Sequence, residues 1–328
     1  MQQSKSEVMT DENTRGRQAR VPYRITLLGW WDIARRLFNR IGEQNISILA
    51  AGVAFYSLLA IFPALAAIVT TYALMADPQT VAEHLAKAQA FLPGDVMSIF
   101  DEQLSALSSR PSEGLSIKLI GGILLAIWSA HKGVDALTRA IGVAYREPET
   151  RGFFTLNLVT YLMTAAAVLF MVVILVLLVV LPSITALFHL PDWWNLFVPI
   201  VRWLVFVAVV SLAIATLYRF APARRPAKWR WLSTGAIVAT LMWLSGSALF
   251  SLYASQFGSY NETYGALSAI VVMLLWLFIS SYAIILGASL NAEMEHQTRR
   301  DTTLGPDRPM GERGATVADT VAPIPSGD

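Results

Sequence analysis

Residues 153–181 carry no charged side chain, over a stretch longer than the about 20 residues a helix needs to cross ~30 Å of hydrocarbon. A soluble domain has few places to bury such a segment on all sides, and here it is not alone. Charged residues make up only 15% of the chain, against about 25% in an ordinary soluble domain. The mostly apolar segments 46–75, 116–134, 195–218, 232–255 and 265–291 meet the same requirement of length and composition. The predicted fold class is therefore all-α: a polytopic transmembrane bundle of six helices with amphipathic interfacial helices. Segment 153–181 exceeds the hydrocarbon thickness and is expected to tilt or to extend beyond it.

Three polar regions flank or interrupt these spans. Residues 1–24 lack the apolar core of a secretory signal and read as a disordered cytoplasmic lead before a membrane domain at 25–296. Between 25 and 45, Leu27, Trp30, Ala34, Leu37 and Ile41 recur at helical spacing. That pattern fits an amphipathic helix lying on the membrane surface, and equally one packed on the protein's own cytoplasmic face. Residues 78–110 hold two helical patterns meeting at Pro93-Gly94 and predict a helical hairpin on the outer face. Residues 297–328 are rich in Pro, Gly, Thr and charge without apolar periodicity, the composition of a disordered cytoplasmic tail.

Lysine and arginine set the orientation. They cluster before the first span, between the second and third, between the fourth and fifth, and after the sixth; the intervening loops are nearly free of them. Both termini are thus expected in the cytoplasm. The arginines lie beside spans, where topology and anionic headgroups account for them, so no nucleic-acid partner is expected and membrane lipids are.

Little in the sequence suggests catalysis. There is no cysteine, and the predicted topology separates His84 and His189 from His131 and His296, so the four cannot form one metal site. HExxH, G-x-S-x-G, Walker A and dinucleotide motifs are absent. No catalytic residue, cofactor or metal ligand is assigned, and the chain is expected not to be an enzyme. The candidate functional positions are polar or kinking residues. Pro63 interrupts the first span and removes a backbone donor. His131, Asp135 and Arg139 share a helix face at i, i+4 spacing; they form either an interfacial ion pair or an inward-facing charged stripe, with the interior arrangement favoured. Tyr260 and Tyr264 suit an aromatic belt and Asn261 a helix cap at the turn before the sixth span. Gly235, Ala239, Gly246, Ala283 and Gly287 would let spans five and six approach closely.

Three segments carry a resemblance: ILAAGVAFYSLLAIFPALA in span one, the run from WSAHKGVDALTRAIGVAYREP in span two, and FSLYASQFGSYNETYGALSAIVVMLLWLFISSYAIILGASLNAE across spans five and six. Together they resemble the YihY/BrkB family of bacterial inner-membrane proteins, some of which carry the label ribonuclease BN. The resemblance brackets roughly residues 30–296. It implies a six-helix integral protein of the bacterial inner membrane with links to envelope integrity. The ribonuclease label finds no acidic or histidine cluster in this sequence to support it. Tyr56, Pro63, Asp135, Arg139, Tyr260, Asn261, Tyr264, Asn291 and Glu293 fall inside the matching motifs. The expected function is transport or translocation of a lipid-like or amphipathic envelope substrate; the alternative is a non-transporting structural or assembly factor for envelope integrity.

Overall fold

The computed structural model describes residues 14–75, 112–180, 192–255 and 266–323. These are all-helical apart from turns and one isolated antiparallel bridge between Ala227 and Thr303. The helices are α1 (Leu27–Glu43), α2 (Ile46–Met75), α3 (Ser112–Ala144), α4 (Phe153–Leu175), α5 (Asp192–Phe220), α6 (Trp229–Ser255), α7 (Ala266–Gln297) and the single-turn α8 (Thr316–Asp319). A π-helical turn, Val176–Val180, continues α4.

Local chemistry sets several of these boundaries. The Thr26 hydroxyl caps α1 by accepting from the Gly29 amide at 3.2 Å. Asn45, with φ 49°, ends α1 and turns the chain by 63° into α2; asparagine tolerates this left-handed conformation better than most side chains. Arg146 takes φ 58° just beyond α3, a conformation costing a non-glycine residue roughly 1–2 kcal/mol.

Helix α2 packs between α3 and α7, α7 also packs on α6, α6 on α5, and α4 sits at the edge against α3 and α5. The buried core gathers toward one end of the bundle, through Ile46, Ala50, Ile141, Tyr145, Tyr218, Leu232 and Ala292. That end holds the loops rich in arginine and is termed the basic end. The small residues do bring α6 and α7 together. A methyl group on Gly235 would collide with the Gly287 carbonyl and Asn291 Oδ1, and one on Gly287 would sit 2.7 Å from Gly235 O. Farther along, Trp243 Nε1 donates to Ser280 Oγ (3.0 Å) and Trp276 Nε1 to Ser247 Oγ (3.2 Å).

Among the described residues, four helical stretches are long and apolar enough to cross a membrane: Phe153–Leu178, Phe197–Phe220, Trp229–Ala254 and Ile270–Gln297. The bent pair Leu27–Glu43 and Ile46–Ile61 makes a fifth if it is one span. The described residues therefore show four or five candidate spans of the six expected. In the described part of α3, the apolar run is cut short by His131, Lys132, Asp135 and Arg139.

Both polar termini depart from the expectation of disorder. Within the lead, residues 14–24 are ordered: Arg17, Ala19 and Val21 are buried, and the Arg17 carbonyl accepts from the Arg299 amide at 2.9 Å. The tail folds back as a polar layer over the basic end, burying Thr298, Thr302, Thr303, Val317 and Ala318. Its order comes from hydrogen bonds, which composition does not reveal. Asp301 accepts from the Thr303 and Arg308 amides, each at 2.8 Å; Asp319 Oδ1 accepts from the Gly311 and Arg313 amides; and Arg313 donates to the carbonyls of Arg299, Arg308 and Ala318. Gly305, Gly311 and Gly314 supply positive-φ turns between these anchors.

Helix α1 packs on the bundle, as one of the two readings of its pattern expects. Ile33 is buried against Leu290 and Met294 of α7, while Leu27, Trp31 and Phe38 are exposed on the opposite flank. The hairpin expected at 78–110 lies outside the described residues.

Candidate functional site

The last turns of α7 read Asn291-Ala-Glu293-Met-Glu295-His-Gln297 and carry two buried carboxylates near a helix C-terminus. The helix dipole disfavours negative charge there, so both need cations from elsewhere in the chain. Glu293 obtains three. Its side chain is 0% exposed and accepts from Arg36 Nε at 2.7 Å, Arg40 Nε at 2.6 Å and Arg146 Nη2 at 2.8 Å. Arg36 also donates from Nη2 to Gln297 Oε1 at 2.8 Å. One carboxylate thus joins α1, the turn after α3 and the end of α7. The anchored guanidinium explains why the strained backbone of Arg146 is tolerated.

Glu295 makes the second junction. Its Oε2 accepts from Arg224 Nη2, in the loop between α5 and α6, and from the Thr302 hydroxyl of the C-terminal layer, each at 2.6 Å. The Arg224 guanidinium lies 4.9 Å over the Tyr145 ring. Burial opposes the charge on Arg224, but Glu295 and its neighbours hold it protonated. Burial likewise pushes the Tyr145 phenol up, reinforced by Glu295, so this tyrosine remains neutral. Asn291 completes the hub by accepting from the Gly235 amide at 2.8 Å and donating to the Leu232 carbonyl at 3.1 Å, fastening α7 to α6.

Around this hub, Glu147 Oε1 accepts from the Thr316 amide at 2.7 Å and holds α8 to the turn after α3. Burial raises its pKa despite these bonds. Glu149 is bound by Arg151, whose hydrogen bonds lower the pKa of the carboxyl.

Of the positions singled out in the sequence, Asn291 and Glu293 lie in the hub. His131 is buried at the inner part of α3 and stacks on Tyr161 with ring centroids 4.0 Å apart. Asp135 and Arg139 form a 3.1 Å ion pair, but the Arg139 side chain is 55% exposed, so the pair belongs to the surface and not to the bundle interior. Tyr56 is exposed on α2, edge-to-face with Phe55, and Pro63 lies half-buried within α2. Tyr260, Asn261 and Tyr264 lie outside the described residues.

Glu295, Arg36, Arg40, Arg146 and Arg224 escaped the sequence reading. Their signal was two glutamates closing an otherwise uncharged helix, which calls for partners, together with arginines whose role had been explained by topology alone. Among the described residues, no group of three or more His, Asp or Glu is arranged to hold a metal ion.

A helical membrane protein whose spans are fastened at one end by buried ion pairs is the class this fold and site define. The chain belongs to the family described as virulence factor BrkB, whose model matches residues 37–311. It is 31% identical over 262 residues to the putative ribonuclease-like protein YfkH of Bacillus subtilis, covering 79% of this chain and 93% of that one. It is 26% identical over 273 residues to a UPF0761 membrane protein of Cronobacter sakazakii, covering 82% and 89% respectively. No solved structure matches the chain.

Proposed function

We propose that this protein translocates a lipid-like or amphipathic envelope substrate across the bacterial inner membrane, with six spans and both termini in the cytoplasm. The reading rests on one asymmetry. At the basic end, Glu293, Glu295 and Asn291 fasten α1, α3, α6 and α7 together. All three backbone irregularities in the described spans lie in the opposite half: Pro63 in α2, the π-turn Val176–Val180 after α4, and Pro199 in α5. Such interruptions free carbonyls and mark bending points, and membrane helices keep them where neighbouring groups or a cavity can satisfy the backbone. A clamped base with hinged far halves suits alternate opening toward one leaflet.

The family's ribonuclease-like label does not enter this reading, in which the chain is not an enzyme and needs no cofactor. A second reading has its own support: the ordered layer formed by residues 14–24 and 298–323 offers a polar platform suited to assembly factors of the envelope. Reconstitution separates the two. Liposomes containing the purified protein and a fluorescent phospholipid should expose inner-leaflet label to a membrane-impermeant quencher faster than protein-free liposomes; a scaffold leaves the rate unchanged. RNA hydrolysis that copurifies through several columns and vanishes with a point variant would overturn the non-enzymatic part.

A further inference from the structure

At the basic end, where α5 gives way to α6, a cavity of about 430 Å³ is lined by Arg151, Arg219, Arg224 and Arg225 together with Phe220 and Pro226. Its volume falls in the range of small-ligand sites, about 300–1,000 Å³. Four arginines thus line it, and the carboxylates around them do not fully balance their charge. Arg151 is paired with Glu149 at 2.7 Å and Arg224 with Glu295 at 2.6 Å. Glu147 faces the same region but is engaged by Thr316. Arg219 and Arg225 have no carboxylate partner among the described residues.

The hydrogen-bonding account is also incomplete. Arg224 is 2% exposed, yet its Nη1 has no partner among the described residues, and neither does Arg225 Nη1. An unpaired buried donor carries a cost, although both atoms are closed to solvent, so an acceptor reaches them only if the arginine side chains shift. Arg219, by contrast, is held in place: it donates to the Ala227 carbonyl at 2.9 Å, and its guanidinium lies 4.7 Å over the Trp229 ring. The cavity is therefore lined by two arginines without a carboxylate partner among the described residues, Arg219 and Arg225, the first of them fixed in place.

We propose that this cavity binds a phosphate group, free or carried on a lipid headgroup. Clustered arginines match phosphate oxygens with paired N–H donors, and four arginines set against Glu147, Glu149 and Glu295 leave a net positive charge that favours an anion. Phe220 and Trp229, exposed beside the cavity, give the glycerol or acyl part of a lipid an apolar surface to follow. This goes beyond the translocation reading and holds whether or not the protein moves lipid.

The test is equilibrium binding to the full-length protein in detergent micelles, titrated separately with inorganic phosphate and with phosphatidic acid, using phosphatidylcholine as the neutral comparison. Saturable binding of either anionic probe is expected, with Arg225→Gln weakening it tenfold or more and Arg300→Gln, an exposed arginine outside the cavity, changing it less than twofold. Binding of inorganic phosphate identifies a free-phosphate site; binding of phosphatidic acid alone identifies a headgroup site. Arg225 makes no ion pair, so its variant should fold, and an unchanged melting temperature without ligand verifies that. Absence of saturable binding to both probes, or equal weakening by Arg225→Gln and Arg300→Gln, overturns the proposal. Because binding is measured in micelles, failure of translocation in liposomes leaves this outcome unaffected.

Discussion

Arg40 of α1 and Glu293 of α7 meet at 2.6 Å, and the same carboxylate oxygen accepts from Arg146 at 2.8 Å. Removing the shared anion leaves Arg36, Arg40 and Arg146 close together without compensation, a loss of the kind that costs about 3–5 kcal/mol. Glu293→Gln should therefore lower the melting temperature in detergent by on the order of 10 °C. Arg139→Gln breaks only the exposed pair with Asp135, worth under about 1 kcal/mol, and should shift it by at most a few degrees. Equal melting temperatures for the two variants would contradict the hub.

The approach of α6 to α7 gives a steric prediction. Alanine at Gly235 has to displace the Gly287 carbonyl and Asn291 Oδ1, and backbone yields less readily than the end of a flexible side chain. Gly235→Ala is expected to destabilise by about 1–3 kcal/mol through overpacking, and Gly287→Ala similarly. Gly142→Ala, where the nearest foreign atom is Glu147 O at 3.5 Å, should be tolerated. Thermal melts of the three variants check the order.

The spans were legible because a bilayer imposes a simple requirement: uncharged length, met most plainly in 153–181. Close packing of α6 on α7 was legible from Gly235 and Gly287 for a similar reason, since only small residues permit it. The C-terminal layer was not. Its order depends on Asp301, Asp319 and Arg313 meeting particular backbone groups, and such pairing leaves no periodic trace in the sequence. Asn291 and Glu293 could be picked out within a motif, but the arginine partners of Glu293 lie far off in sequence, on α1 and in the turn after α3, where a lipid-facing arginine and a hub arginine look alike.

Asp301 predicts how that layer responds to acid. Burial alone would raise its pKa, but hydrogen bonds from the Arg308 amide and from the amide and hydroxyl of Thr303 outweigh it and hold the carboxyl below the usual aspartate value. A depressed folded pKa contributes stability that is present above the unfolded value, about 3.9, and is lost as pH falls through the folded value. Proteolytic protection of residues 298–323 should thus persist at pH 6 and decline below about pH 4. Asp301→Asn should lower protection at pH 6 and flatten this part of the acid response. An Asn variant as protected as the parent at pH 6 would contradict the assignment.

The proposed orientation puts the arginine-rich basic end in the cytoplasm. Alkaline phosphatase fused after Arg230 should be inactive, and a fusion at Ser259 active. The reverse pair of results would place the hub on the periplasmic side and overturn the proposed topology.

Translocation by far halves that bend over a clamped base is tested most directly by the lipid flipping of the Pro63→Ala/Pro199→Ala double variant. Proline within a helix is about 3 kcal/mol less favourable than alanine, so the double variant should melt no lower than the parent. The parent is expected to accelerate quenching of inner-leaflet lipid in liposomes, and the straightened variant to do so several-fold more slowly. No acceleration by the parent, or equal rates for parent and variant, would contradict it.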